Sequence, residues 1–328
     1  MKADSDFTYA AATERQAALR QDAQLRRHGR DAAEARRATR NRRRREAAIE
    51  RTTTSLRWEG NALLGFIERQ RNLYRRYWLW EVVWWLYSLV SVMSIGFLAS
   101  GLASLGVGQA QFNLRAAQLY LLLGSLLWSF LSMVFFEIAF GIAWERWEGT
   151  IEYTFMAPVK RVTHLLGLCL SSLLYGILRG VLIAVVVVLI FPLDFSHADW
   201  GSALAILGAA ILPLIGLGVF TAVLPLLSTE KGEQMTVAVQ GILLLVSGVY
   251  YPLSVLPLPL DIIGHLSPLT YALAGVRDAL LKNANLSTEM ANIALLLALG
   301  VVLVPASIWT FSRAERRAKR LGLLKRSG

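Results

Sequence analysis

Glu145, Glu148 and Glu152 stand three and four residues apart in the segment Trp144-Glu145-Arg146-Trp147-Glu148-Gly149-Thr150-Ile151-Glu152. On one continuous helix that spacing puts the three carboxylates on a common face, where they can meet basic and polar groups of a partner. The plainer reading is a solvated acidic turn. Glu137 and Arg179 form a second set, each lying inside an apolar run long enough to cross a bilayer. An ionisable side chain there is costly to bury and marks a transport pathway or a buried pair. At 1.5 Å per residue Glu137 lies about 9 Å from residue 143 and Arg179 about 21 Å from residue 165, so a direct ion pair between them would be strained. Arg179 can instead face a hydrated cavity and meet an anionic or polyhydroxylated substrate, with structural pairing as the alternative.

Other chemistry is poorly supported by spacing. His28, His164, His197 and His265 are scattered, with no second His or carboxylate at metal-ligand spacing. Asp194, His197 and Asp199 cluster in a short loop that a solvated turn explains. Cys169, the single cysteine, falls in an apolar run and reads as an inert buried thiol. None of the six lysines (Lys2, Lys160, Lys231, Lys282, Lys319, Lys325) stands in the Gly-x-x-x-x-Gly-Lys-Ser/Thr context of a P-loop. Any ATP and Mg used by a machine containing this chain are therefore expected on a separate polypeptide.

The elements that must position these residues are membrane helices. With 55% hydrophobic residues and a mean hydropathy of +0.46, the apolar side chains come in long blocks, and a span needs roughly 20 of them. Six windows qualify, at residues 82–108, 118–143, 165–191, 203–227, 235–251 and 293–311, the fifth being short. Of 34 Lys and Arg, 19 precede residue 82, three lie in 144–163, one is Lys231 and seven follow residue 311. Only Arg115, Arg277 and Lys282 fall on the other side, so the positive-inside rule places both termini in the cytoplasm. The first apolar block begins some 80 residues in, which predicts that this span directs insertion and that no signal peptide precedes it.

Residues 1–57 are rich in Ala, Arg and Glu without an apolar stripe, and read as a basic cytoplasmic arm beside anionic lipid, nucleic acid being the less favoured partner. Across 58–80, Leu63, Leu64, Phe66, Ile67, Leu73, Tyr74, Tyr77 and Trp78 alternate with Arg69, Arg71, Arg75 and Arg76 in the pattern of an amphipathic interfacial helix whose arginines meet lipid phosphates. Trp78, Trp80, Trp84 and Trp85 read as an aromatic belt, or as rings lining a sugar or drug pathway. The 252–289 stretch is too apolar for an ordinary outside loop, and Pro252, Pro257, Pro259 and Pro268 forbid one continuous helix, so it is predicted to dip back into the membrane. Within it Leu273, Val276 and Leu280 share one face, and Arg277, Asp278 and Lys282 take the other.

The segment 144–152, closing with Pro158-Val159-Lys160-Arg161, resembles the cytoplasmic signature of type-2 ABC exporter permeases. Tyr250-Tyr251-Pro252-Leu253-Ser254, followed by Ser267-Pro268-Leu269-Thr270-Tyr271 and Arg277, is similar to that family's segment between its last two spans. The resemblance covers about 58–311. It implies an all-α integral membrane protein with six transmembrane helices, an N-terminal amphipathic interfacial helix and a re-entrant extracellular segment between the fifth and sixth spans, the membrane domain occupying 81–312 and a basic tail 313–328. It further implies a coupling helix at about 144–158, in which Glu145, Glu148, Gly149, Thr150, Glu152, Pro158 and Arg161 meet a nucleotide-binding subunit. Two ABC ATPase subunits, a second permease copy or homologue and membrane lipid are the implied partners. The implied location is the plasma (inner) membrane of a prokaryote, and the cargo a drug, lipid or glycan. Glu137, Arg179, Tyr250, Tyr251 and Pro252 are candidates for the substrate pathway. A secondary transporter, or a membrane anchor with a nucleic-acid-binding arm, are the rival readings; the former would call for inverted repeats and several intramembrane ion ligands.

Overall fold

The computed structural model describes residues 56–104, 114–191, 198–228 and 230–324. The basic arm up to residue 55, the Arg115 side chain, Asp194, His197 and Lys325 lie outside the described residues. The chain divides into units at 1–61 and 62–328; of the first, only 56–61 are described, and they are helical. Everything below concerns the second.

Among the described residues the secondary structure is helix and turn only. A helix, α1, covers residues 62–76 of this unit. After it come α2 (Trp78–Ser104), α3 (Leu114–Trp147), the short α4 (Ile151–Met156), α5 (Arg161–Ile190), α6 (Trp200–Thr221), α7 (Val223–Leu227) and α8 (Gly232–Val246). A 3-10 turn at Leu253–Val255, α9 (Leu258–Leu266), α10 (Pro268–Leu281) and α11 (Leu286–Arg320) complete it. Five helical stretches are long and apolar enough to cross a membrane: Trp78–Gly101, Ala117–Trp147, Arg161–Ile190, Trp200–Leu227 and Leu286–Arg320. The predicted fifth of six spans coincides with α8, whose 15 residues give about 22 Å against a hydrocarbon thickness of about 30 Å. The amphipathic helix ends earlier than predicted. The chain turns at Tyr77, and Trp78 and Trp80 belong to α2.

Side chains of Val83, Leu86, Leu174, Leu189, Val301 and Val302 are exposed on the outer faces, as expected where the solvent is lipid rather than water. Inside, α3 is central: Leu123, Leu127, Leu131 and Phe135 pack with α6, α10 and α11, and Val134, Ile138 and Ile142 pack with α5, α7 and α11. Because burial between helices in lipid gains little from the hydrophobic effect, close van der Waals packing has to hold them. The α6–α11 pair shows how: a Cβ on Gly216 would stand 2.7 Å from the Leu303 Cβ, and one on Gly300 2.6 Å from the Leu212 Cγ. Asp199 caps α6 by accepting from the Ser202 N–H at 3.0 Å, which holds its carboxyl below the usual carboxylate range.

The segment after α8 departs from its predicted pattern at Arg277. This side chain is not on an outer polar face: it is 5% exposed, stacks 3.7 Å from the Tyr120 ring centroid and donates to the carbonyls of Gly248 (2.8 Å), Tyr120 (3.2 Å) and Val249. The reason lies in the backbone. α8 stops at a turn with Gly248 at φ +69, which leaves carbonyls without helical partners, and a guanidinium with its fork of donors satisfies them together. Asp278 and Lys282 do take the polar side, paired at 2.8 Å. Pro268 opens α10 at its first turn, where the missing N–H costs nothing.

Candidate functional site

The three acidic residues of the 144–152 segment do not share a helical face. α3 ends at Trp147, Gly149 adopts φ +72, and a new helix begins at Ile151, so Glu145 and Glu152 belong to different helices. Only a residue without a Cβ takes that backbone conformation at low cost. The break sends Glu145 inward, 1% exposed, and leaves Glu152 outward. Glu145 Oε1 receives Arg69 Nη1 at 2.7 Å and lies 2.8 Å from His164 Nε2, while Arg69 Nη2 donates to Thr150 Oγ1 at 2.9 Å. Arg69 therefore serves a buried carboxylate rather than lipid phosphate, because an unpaired carboxylate at this depth would be far more costly. Arg71 and Arg76 stay exposed, as the interfacial reading requires. Glu148 accepts from the Tyr77 hydroxyl at 2.5 Å, which raises that phenol above its ordinary value, and lies 3.9 Å from Arg76.

Behind α4 a second set of bonds fixes the turn. Arg161 reaches Glu315 on α11 through two 3.0 Å hydrogen bonds and covers the Phe155 ring at 4.1 Å. Arg146, 2% exposed, donates to the carbonyls of Leu323 (2.6 Å), Pro225 (3.1 Å) and Leu226 (3.1 Å). Pro158 follows the end of α4 at Met156 and stays exposed, consistent with a stop before α5. The outer surface is different in kind: Tyr153 and Met156 are 79% and 80% exposed, beside the exposed Glu152. Exchanging the partners in Arg161→Glu with Glu315→Arg should recover most of the stability that either single change removes, about 2 kcal/mol for hydrogen bonds to a charged group. Thermal unfolding of the three variants in detergent measures this, and a double variant no better than the singles would show that the pair is not what holds α5 to α11.

The second arrangement is a cavity of about 840 Å³ between α1, α2, α3, α5 and α8. Glu137, Arg179 and Tyr250 of the predicted pathway residues line it. Tyr251 does not; its hydroxyl is spent on the Leu245 carbonyl at 2.7 Å, and Pro252 is exposed elsewhere. Arg179 is 7% exposed and donates to the Trp84 carbonyl at 2.6 Å and to Ser88 Oγ, and among the described residues it makes no ion pair with a carboxylate. Glu137 accepts from the Tyr74 hydroxyl at 3.1 Å. Glu81 completes the set, accepting from the Tyr175 hydroxyl, which in turn receives Trp85 Nε1 at 2.5 Å. The rings of Tyr74 and Tyr175 stack at 4.2 Å, binding the two carboxylates into one cluster.

Sequence spacing missed Glu81, Tyr74 and Tyr175. Glu81 stands one residue outside the apolar window drawn for the first span, and a charge at that edge ordinarily marks a helix end. Among the described residues no three His, Cys, Asp or Glu side chains gather at a metal site. His164 is instead held between aromatic rings and Glu145.

Long apolar helices with exposed apolar flanks mark a multi-pass membrane protein, here with a cavity among its helices. Residues 63–281 match the ABC-2 type transporter family, and the chain belongs to that family as a permease. The matched domain is a membrane domain and not an ATPase, so this chain is not itself the ATPase; permeases of this kind work with ABC ATPase subunits. No match was found among curated proteins.

Proposed function

We propose that the chain is the membrane subunit of an ATP-driven exporter, with the α3–α4 turn taking up the motion of partner ATPases and the cavity lying on the path of the cargo. The observation that carries this reading is the two-sided character of the turn. Its outer side offers Glu152, Tyr153 and Met156 to a partner, and its inner side is bonded through Glu145, Arg146 and Arg161 to α1, α5, α7 and α11. A push on α4 is thereby passed to several spans together rather than absorbed by a flexible loop. Tyr, Met and Arg side chains are the types that anchor such interfaces.

In this reading Glu145, Gly149, Thr150, Pro158 and Arg161 shape the coupling element from within, while Glu148 and Glu152 with Tyr153 form its contact face. Two ATPase subunits would bind ATP and Mg, and a second permease copy or homologue would complete the path. Both termini would be cytoplasmic in a prokaryotic inner membrane. α8 would complete six spans by tilting little and drawing on the apolar turn that follows it, and α9 with α10 would form the re-entrant segment on the outer side. Drugs, lipids and glycans remain the cargo classes.

The test is copurification of an ABC ATPase with the wild type and with a Glu152→Arg, Tyr153→Ala variant. Neither side chain is buried, so the variant is expected to fold as the wild type does, to lose the ATPase, and to lower the ATP hydrolysis that copurifies with the chain at least about tenfold, the loss of one good anchor. Unchanged association with the folded variant would sink the assignment of the turn.

A further inference from the structure

Among the described residues the ionisable side chains around the cavity are unequal in sign. Glu81, Glu137 and, at the start of α8, Glu233 line it, with the guanidinium of Arg179 as the described basic group. Glu81 and Glu137 receive hydroxyl hydrogen bonds from Tyr175 and Tyr74 and make no ion pair within 4 Å among the described residues. Arg179, for its part, has its Nη2 committed to a backbone carbonyl and a serine, while its buried Nε has no hydrogen-bond partner among the described residues. Aromatic side chains, Trp84, Trp128, Phe136, Phe140 and Trp144 among them, share the rest of the wall with serines, glutamines and aliphatic residues. Ring faces carry negative quadrupole charge and attract cations, the more so where water is scarce. The volume, about 840 Å³, suits a molecule of drug size.

Resting on the reading of this cavity as part of the cargo path, we propose that it binds a lipophilic organic cation: an apolar body carrying one delocalised or quaternary positive charge, seated between the aromatic rings with Glu81 and Glu137 as its counter-charge. The carboxylates give selection by sign, and the rings accept an apolar body of loose shape. A neutral or anionic molecule of the same size fills the same space without offering a charge for the two carboxyl groups to meet, and is bound less well.

Tetraphenylphosphonium and tetraphenylborate have the same shape and opposite charge, and so separate the two contributions. Equilibrium binding of each is measured to the full chain in lipid nanodiscs, with empty discs subtracted to remove partition into lipid. The wild type is expected to bind the phosphonium saturably and at least about tenfold more tightly than the borate, one order of magnitude corresponding to a single modest electrostatic contact. Glu81→Gln with Glu137→Gln, which keeps the shape and the acceptors for both tyrosines, should erase that preference. If this double variant fails to fold, Glu137→Gln alone takes its place and should reduce the preference about threefold, a partial loss of the same contact. Borate binding equal to or tighter than phosphonium in the wild type, or a preference that survives in the folded glutamine variant, overturns the proposal. The titration contains no ATPase, and the copurification test contains no cation, so either reading can fail while the other stands.

Discussion

Glu145→Leu is expected to cost about 3–5 kcal/mol, the range for removing one partner of a buried ion pair. The loss should appear as a large fall in the thermal unfolding midpoint of the detergent-solubilised protein. Leucine removes the carboxylate oxygen that Arg69 Nη1 and the His164 ring both reach, at 2.7 and 2.8 Å, and leaves Arg69 the Thr150 hydroxyl at 2.9 Å in place of a counter-charge. Arg69→Gln should cost less, since Arg69 keeps about a quarter of its surface and its removal leaves His164 in place. A double-mutant cycle isolates the coupling: Arg69→Gln combined with Glu145→Gln should be milder than the sum of the two singles. Strict additivity would mean that the short distance between these groups carries no energy and that the turn is held by packing alone.

Arg277→Lys is expected to release α10 from the turn after α8, although it keeps the charge. An ammonium on a flexible stem can reach one of the three carbonyls that the guanidinium serves, and it cannot lie flat on the Tyr120 ring. The unpaired carbonyls of Gly248 and Val249 then cost about 2–3 kcal/mol, enough to raise amide exchange across 267–281 more than tenfold. Gly124→Ala gives an independent check from the facing helix. A Cβ there would collide with the Arg277 guanidinium and the Val249 carbonyl, of which the second is backbone and cannot swing aside. The same increase in exchange is expected. If both variants keep wild-type exchange, Arg277 does not pin the segment.

These two residues show what was legible in the sequence and what was not. The long spans were readable because length and hydropathy are local properties, and twenty apolar residues in a row have few other uses. The segment 144–161 stands out in the sequence as a motif, yet the direction of each of its side chains is not legible there. Glu145 and Glu152 look equivalent until Gly149 turns the chain, and the four arginines of α1 look equivalent until Arg69 meets a carboxylate 76 residues away. Arg277 was misplaced for the same reason: the pattern Leu273, Val276, Leu280 describes one face of α10 but cannot show that carbonyls of a distant turn wait on another. The cavity was the least legible feature, since its wall comes from five helices and its key acid, Glu81, sits at the edge of an apolar run. Intramembrane Glu137 and Arg179 were found because charge within apolar sequence is conspicuous. That they do not pair followed from their separation along the spans.

α11 runs unbroken for 35 residues, about 52 Å, which exceeds the hydrocarbon thickness by more than 20 Å. One end bears Glu315, gripped by Arg161, and Phe311, whose ring lies 6.4 Å from Phe155 of α4. Near the other end Glu289 is buried against Gly275 of α10. Pro305 inside α11 lacks the N–H of one helical bond, so the helix bends most easily there rather than acting as one stiff rod. A displacement of α4 would bear on one end of α11 and a displacement of α10 on the other, with Pro305 as the joint between them.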